Sequence, residues 1–384
     1  MTRLSTLDWI LSLADHADFG VILRMNRTPL LEALRSGSRS ARRRYPVSDS
    51  CISGRYWKPA PAELDGVREA TSADPDAEAQ AFLDRPLDPH REAPIQQFIA
   101  PDRFVVTRAH HAAADGFSVG MWLRRQFRVA LGVDAFSAGD ERQEPLRLRA
   151  SHPHPRPQSA QSIRQRSAES GRQRQEPRSQ ALWTEKDAGP FKRRWMTLEL
   201  ADTFSSAALA AAALRAVASW NEMHGAPSCG MSLWLPVNIR DHRAPRFGNG
   251  TSRIRIRSAG GLEDVRRKIH RGLRHAEWSV PADPWVARLP LAIASPLARL
   301  YLDRPWADMG SVVFSHIDRW SGAGDNVFDG VDKIELIGQL HRRLPLAINA
   351  ATHRGRTWMT FTYDAGRLSP ADVDQFADLY RARL

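Results

Sequence analysis

Between Ser151 and Gln180 the chain has no Val, Leu, Phe, Met, Trp or Tyr, and a single Ile163 stands among Ser, Gln, Arg and Pro. Such a tract buries too little apolar surface to offset the entropy of ordering, so it cannot contribute to a core. Its six arginines are set against only Glu169 and Glu176, which predicts a basic, extended linker. Lying near mid-chain, it divides the protein into a first lobe over 1–150, a linker over 151–182 and a second lobe over 183–384. The length of 384 residues agrees with two lobes at about 150 residues per domain. His152 and His154 inside the tract read as solvated polar residues rather than metal ligands.

With 42% hydrophobic and 26% charged residues, the remainder has the composition of folded globular domains. The longest apolar run, Ala207 to Leu214, is closed by Arg215 and falls far short of the roughly 20 residues of a membrane span. The N-terminus lacks a continuous apolar region and a small-residue cleavage site, so a cytoplasmic protein is expected. Two cysteines, Cys51 and Cys229, without metal spacing, exclude a disulfide framework and a cysteine-rich zinc site. The formal charge of +12 favours phosphate-bearing partners. It comes mainly from Arg, and no aromatic residues are interleaved with the Arg clusters as in nucleic-acid binders, so no nucleic-acid partner is expected.

In the first lobe, Thr28-Pro29-Leu30 through Leu34, ending at Gly37, has the cap, proline and spacing of a short helix. Pro94–Ala100 and Arg103–Ala109 read as a hairpin across Pro101-Asp102, followed after Gly116 by an amphipathic stretch from Ser118 to Leu131. In the second, Thr203–Trp220 is Ala-rich and helical, Ser232–Arg240 reads as a strand, and helical spacing returns from Leu262 to Trp278. Strands are predicted at Ser311–Phe314, Lys333–Leu340, Leu344–Asn349 and Thr357–Tyr363, and Ser369-Pro370-Ala371-Asp372 opens a terminal helix. Helices and strands mix in both halves, which gives an α/β or α+β class.

The sharpest motif is His110-His111-Ala112-Ala113-Ala114-Asp115-Gly116, at the end of the strand Arg103–Ala109. Strand alternation sends the two histidines to opposite sides, so one of them faces a given cleft. An imidazole is the side chain best matched to taking a proton from an alcohol or amine at neutral pH. The alanines leave room around it, an ion pair from Asp115 to an Arg would hold the loop, and Gly116 allows tight backbone packing before the helix. Arg253, Arg255 and Arg257 alternate with Ile254 and Ile256, as on a strand with a solvated basic face.

This segment resembles the His-His-x-x-x-Asp-Gly motif of the acyltransferase superfamily with the chloramphenicol-acetyltransferase-like fold, which includes condensation domains, polyketide-associated acyltransferases and wax ester synthases. The resemblance extends to Asp8 and Arg44-Tyr45-Pro46 near the start. It continues through Leu235-Pro236-Val237-Asn238-Ile239-Arg240 with Gly248-Asn249, then Phe314-Ser315, and the ending from Thr357 onward. It implies two lobes forming a V, with donor and acceptor entering opposite faces of a channel between them. It assigns catalysis to His111 within His111, Asp115 and Gly116, with His110 and Arg240 in support and Asp115 paired to Arg240. Asn249, Ser315 and His316 become substrate-binding candidates, with His316 standing where the family has Asn.

The activity so implied is transfer of an acyl group from a thioester, acyl-coenzyme A or acyl-carrier protein, to a hydroxyl or amine. His111 would be the general base, no metal or prosthetic group is needed, and the setting would be secondary metabolism. A two-lobed monomer suffices for this mechanism, and a carrier protein would act in trans. The competing expectation is a catalytically idle module that recruits a carrier protein or small molecule through the same channel.

Overall fold

The computed structural model of the protein describes residues 2–4, 6–13, 17–27, 29–60, 66–134, 181–184, 190–228, 230–238, 240, 246–257, 261–275, 289–290, 292–297, 310–318, 326–340 and 344–384. The Ser151–Gln180 tract with the lobe boundary at 150, Cys229, Ile239 and the predicted helix end at 276–278 lie outside these residues.

The first half holds β1 (Thr2–Arg3), α1 (Thr6–Ser12), β2 (Asp18–Met25), α2 (Leu31–Arg44), β3 (Ser50–Ser53) and β4 (Tyr56–Pro59). There follow β5 (Val67–Glu69), α3 (Pro75–Asp84), β6 (Ile95–Ala100), β7 (Phe104–His110) and α4 (Gly116–Ala130). The second half runs β8 (Arg193–Leu200), α5 (Ser206–Met223), β9 (Ser232–Asn238), β10 (Thr251–Arg257), α6 (Leu262–His275) and β11 (Val312–Ile317). It closes with β12 (Val331–Ile337), β13 (Leu346–His353), β14 (Arg356–Asp364) and α7 (Pro370–Arg381).

Two mixed sheets organise most of these elements, a six-stranded one in the order β10-β9-β11-β13-β14-β8 and a five-stranded one in the order β12-β2-β7-β6-β5, while β1, β4 and β3 form a small third sheet. The first is built entirely from the second half. The second takes β12 from the second half and pairs it antiparallel with β2. A strand edge left open there would expose unpaired N–H groups. Threonines of β14 close it instead: Thr360 Oγ1 accepts from Leu336 N–H at 3.2 Å and Thr362 Oγ1 from Gly338 N–H at 2.8 Å. The two sheets are thereby joined through side chains.

Helices cover both sheets, with α3 also packing on the second face of the five-stranded one through Ala79, Phe82 and Leu83. Leu34, Trp122, Leu123 and Phe127 of α2 and α4 pack on Val21, Leu23 and Val105, while Leu209, Ala213, Val217 and Trp220 of α5 pack on Leu233, Phe314, Ile348 and Phe361. The expectation that the first of these helices stops at Gly37 is corrected, since α2 runs through it to Arg44. A Cβ there would meet the Gln126 carbonyl oxygen at 2.2 Å, so Gly37 is a close-approach point between α2 and α4 rather than a terminator. The terminal helix has the predicted cap: Ser369 Oγ accepts from Asp372 N–H at 3.2 Å and Asp372 returns the bond to Ser369 N–H at 2.7 Å. Cys51 is a free thiol, and burial raises its pKa, as expected of an unreactive cysteine. Among the described residues, no helix is long and apolar enough to cross a membrane.

Candidate active site

The His110–Gly116 segment is the turn from β7 into α4. β7 ends at His110, Ala113 N–H bonds back to His110 O at 2.9 Å, and Asp115 is the N-cap of α4, its Oδ1 accepting from Ser118 N–H at 3.0 Å. The alternation expected of the two histidines is present. His110 lies opposite Asp18 across the β2–β7 ladder. The His111 ring leaves that face and stands 4.4 Å from the Phe19 ring, the planes tilted by 31°. Ala112, Ala113 and Ala114 do not surround an open space. They are buried in the first-half core, so their small size serves packing.

Both imidazoles are neutral at pH 7. Burial lowers the His110 pKa to about 3, against the opposing Asp18 carboxylate. His110 Nδ1 accepts from Ala112 N–H at 3.1 Å, which places the proton of the neutral ring on Nε2. Desolvation lowers His111 to about 4, opposed by Asp115 and then Asp18.

Asp115 is saturated with donors from the second half. Oδ1 accepts from Arg240 Nη2 at 2.8 Å, and Oδ2 accepts from Gly250 N–H at 2.9 Å and Thr251 Oγ1 at 2.5 Å. The Arg240 and Asp115 side chains are only 1% and 3% exposed. Arg240 also donates from Nε to Arg246 O at 2.9 Å, from Nη1 to Asn238 Oδ1 at 3.2 Å, and from Nη2 to Ser118 Oγ at 2.8 Å and to Gly248 O. The predicted ion pair is thus the centre of a buried network in which each nitrogen of the fork donates. With both oxygens engaged, Asp115 holds the loop to the second half.

The glycines divide by steric demand. A Cβ on Gly250 would sit 2.6 Å from Arg240 Cγ and 2.7 Å from its Nε, whereas one on Gly116 would meet only Ile317 Cδ1 at 3.6 Å. Tight packing expected at Gly116 is therefore corrected to Gly250. Gly250→Ala is expected to displace the Arg240 fork and lower the urea unfolding midpoint, and Gly116→Ala to leave it near wild type. Equal midpoints would contradict this assignment.

Asn249 sits at the motif, where its Nδ2 donates to the His111 carbonyl at 3.0 Å. Ser315 on β11 pairs in register with Asn349 and shares a sheet face with Ile317, the face toward the first half. His316 points the other way, toward α5. Its Nδ1 is 2.9 Å from Ser206 Oγ and its Nε2 is 2.9 Å from Thr352 Oγ1, and burial lowers its pKa. Strand alternation turns His316 into the helix layer, where both ring nitrogens have hydroxyl partners. Arg253 and Arg255 lie on the strand face opposite the buried Ile254 and Ile256, with guanidinium carbons 4.5 and 5.9 Å from the Trp234 ring centre.

Sequence reasoning missed three participants. Ser118 Oγ donates to Gly248 O at 2.6 Å and accepts from Gly248 N–H at 3.0 Å. Phe247 inserts from the second half onto Tyr45, ring centres 4.8 Å apart, so the Arg44-Tyr45-Pro46 turn is a docking point. Below His110, Asp18 is paired with Arg193. A serine three residues after an N-cap Asp was the available signal for Ser118; the other two are long-range contacts with no local signature. Among the described residues, no three His, Cys, Asp or Glu side chains form a metal site.

The fold is shared with known proteins. The first condensation domain of the calcium-dependent antibiotic synthetase, in complex with a substrate analogue, superposes with a TM-score of 0.69 at 16% identity, covering 100% of this chain and 96% of that one. The starter condensation domain of rhizomide synthetase, as a double mutant in complex with C8-CoA and Leu-SNAC, gives 0.66 at 16%, covering 100% and 93%. The epimerization domain from the third module of tyrocidine synthetase B gives 0.63 at 14%, covering 100% and 94%. No protein-family model matches the chain. No curated protein matches it. The chain has the two-lobed, chloramphenicol-acetyltransferase-like fold of condensation domains, as the His-His-x-x-x-Asp-Gly resemblance implied.

Proposed function

We propose that the protein is an acyltransferase that moves an acyl group from a thioester to a hydroxyl or amine acceptor, with His111 as general base. The single observation carrying this reading is His111 itself. It is a neutral imidazole outside the strand ladder, its main chain clamped by Asn249 and by the Asp115–Arg240 network, on a fold whose solved examples include one holding C8-CoA. In the step proposed, the acceptor oxygen or nitrogen attacks the thioester carbonyl carbon while its proton passes to His111. The tetrahedral intermediate then expels the thiolate, the C–S bond breaks, and the proton on His111 goes to the sulfur. The donor is acyl-coenzyme A or an acyl-carrier thioester, and neither metal nor prosthetic group is required. A soluble monomer acting in the cytoplasm on secondary metabolites accords with this chemistry.

The pH dependence tests the base. A base acts while deprotonated, so activity is present above its pKa and lost as pH falls through it. With His111 lowered to about 4, the acid limb of kcat/KM for thiol release is expected near pH 4, not near the ordinary imidazole value of about 6.5. A limb centred at 6.5 in an enzyme still folded would mean that the base is not desolvated as His111 is here, and its loss in His111→Ala decides whether His111 is that base. Thioester binding without turnover by wild type would favour the recruiting module.

A further inference from the structure

We propose that Asp18 and Arg193 are positioning residues for His111, a role that rests on the acyl-transfer reading above. Three successive residues at the start of β2 each touch the histidine pair. Ala17 O accepts from His111 N–H at 2.9 Å. Asp18 lies opposite His110. Phe19 packs its ring against His111. The middle one of the three is fastened to the other half of the molecule: Asp18 Oδ2 and Oδ1 accept from Arg193 Nη1 and Nη2 at 2.9 and 3.1 Å.

This tie sits at the end of the strand pairing. The β2–β7 ladder ends at the Asp18–His110 pair, and among the described residues the one main-chain bond beyond it toward β2 is His111 N–H to Ala17 O. Arg193 opens β8, the edge strand of the six-stranded sheet, in register with Asp364 of β14. The His111 main chain is consequently referred to the second half twice. Its carbonyl is held directly by Asn249, and its N–H indirectly through Ala17, Asp18 and Arg193.

The pair is buried, 3% exposed at Arg193 and 2% at Asp18. Buried ion pairs contribute little more stability than apolar residues of the same size, but a bidentate fork fixes separation and orientation. Burial opposes the Asp18 charge, and Arg193 above all, with Arg108 and His110, holds the carboxyl below its ordinary pKa. Arg108 and His110 also face Asp18. Arg108, however, donates to Phe82 O, Arg85 O and Gln96 Oε1, so the contact that reaches the second half is Arg193.

The test replaces the pair by apolar residues in the full chain, Asp18→Leu with Arg193→Met, which removes both charges together. Thiol release and the imidazole nitrogen resonances of His111 are read beside urea unfolding. The expected result is a folded variant with kcat lowered about 10-fold or more, KM within about twofold, and shifted His111 imidazole signals. Arg194→Gln, removing the neighbouring half-exposed pair with Asp84, should leave all three unchanged. A folded double variant with wild-type kcat and unmoved His111 signals overturns the proposal. If that variant does not fold, Arg193→Lys, which keeps the charge and loses the fork, is read in the same way. Should wild type turn over no thioester, the acyl-transfer reading fails by itself, and the imidazole signals still decide whether the pair sets His111.

Discussion

His111→Ala is expected to lower the rate of thiol release by about 10²- to 10⁴-fold, the range a single general base supplies, while leaving the unfolding midpoint close to wild type. The fold survives because His111 contributes to the structure mainly through its backbone: the N–H to Ala17, the carbonyl to Asn249. Truncation removes one ring contact with Phe19 and no hydrogen bond of the Asp115 network. The measurement is thiol release from a panel of acyl-coenzyme A and acyl-carrier thioesters with mixed alcohols and amines, with mass spectrometry of the products. Ester or amide formed by wild type and not by the variant identifies donor, acceptor and base together. Unchanged turnover of every accepted substrate by His111→Ala would end the proposal.

Asp115→Ala and Arg240→Ala should do the opposite, unfolding the protein before they inform on chemistry. Removing one member of a buried, hydrogen-bonded ion pair typically costs about 3–5 kcal/mol because the other charge is left uncompensated. Here the loss is compounded. Asp115→Ala strands the Arg240 guanidinium, the Gly250 N–H and the Thr251 hydroxyl, and removes the cap of α4. Urea unfolding followed by circular dichroism reads the effect. Glu199→Gln, which breaks the exposed pair with Arg356 on β8 and β14, is the matched control and should leave the midpoint in place. Similar midpoints for Asp115→Ala and Glu199→Gln would mean that the network does not hold the two halves together.

Elements whose signals are local were legible beforehand. The Ser369-Pro370 cap, the β6–β7 hairpin, the Ala-rich α5 and the alternating β10 follow from residue spacing alone. β2 and β8 were not anticipated, although they carry Asp18 and Arg193, whose buried ion pair joins the halves as Asp115–Arg240 does. Gly37 signalled a helix end because glycine is unfavourable inside a helix, and the approach of α4 overrode that preference.

The chain by itself predicted a basic tract too poor in apolar residues for a core, and it determined that two histidines at a strand end face opposite ways and that an Asp a few residues on turns back to hold their loop. These depend on composition, on the two-residue repeat of a strand and on backbone geometry within a few residues. Apart from Asp115 with Arg240, which the motif resemblance implied, tertiary structure decided which of 55 basic residues meets which carboxylate. It also decided that the Asn249 amide is engaged by the His111 carbonyl, and that His316 turns into the helix layer while Ser315 faces the first half. Such pairings join residues more than 100 positions apart, as Arg240 to Asp115 and Arg193 to Asp18. No local spacing encodes them. They exist because packing the two sheets through β12 and the β14 threonines brings those side chains into a volume from which water is excluded, where a charge persists only beside its partner.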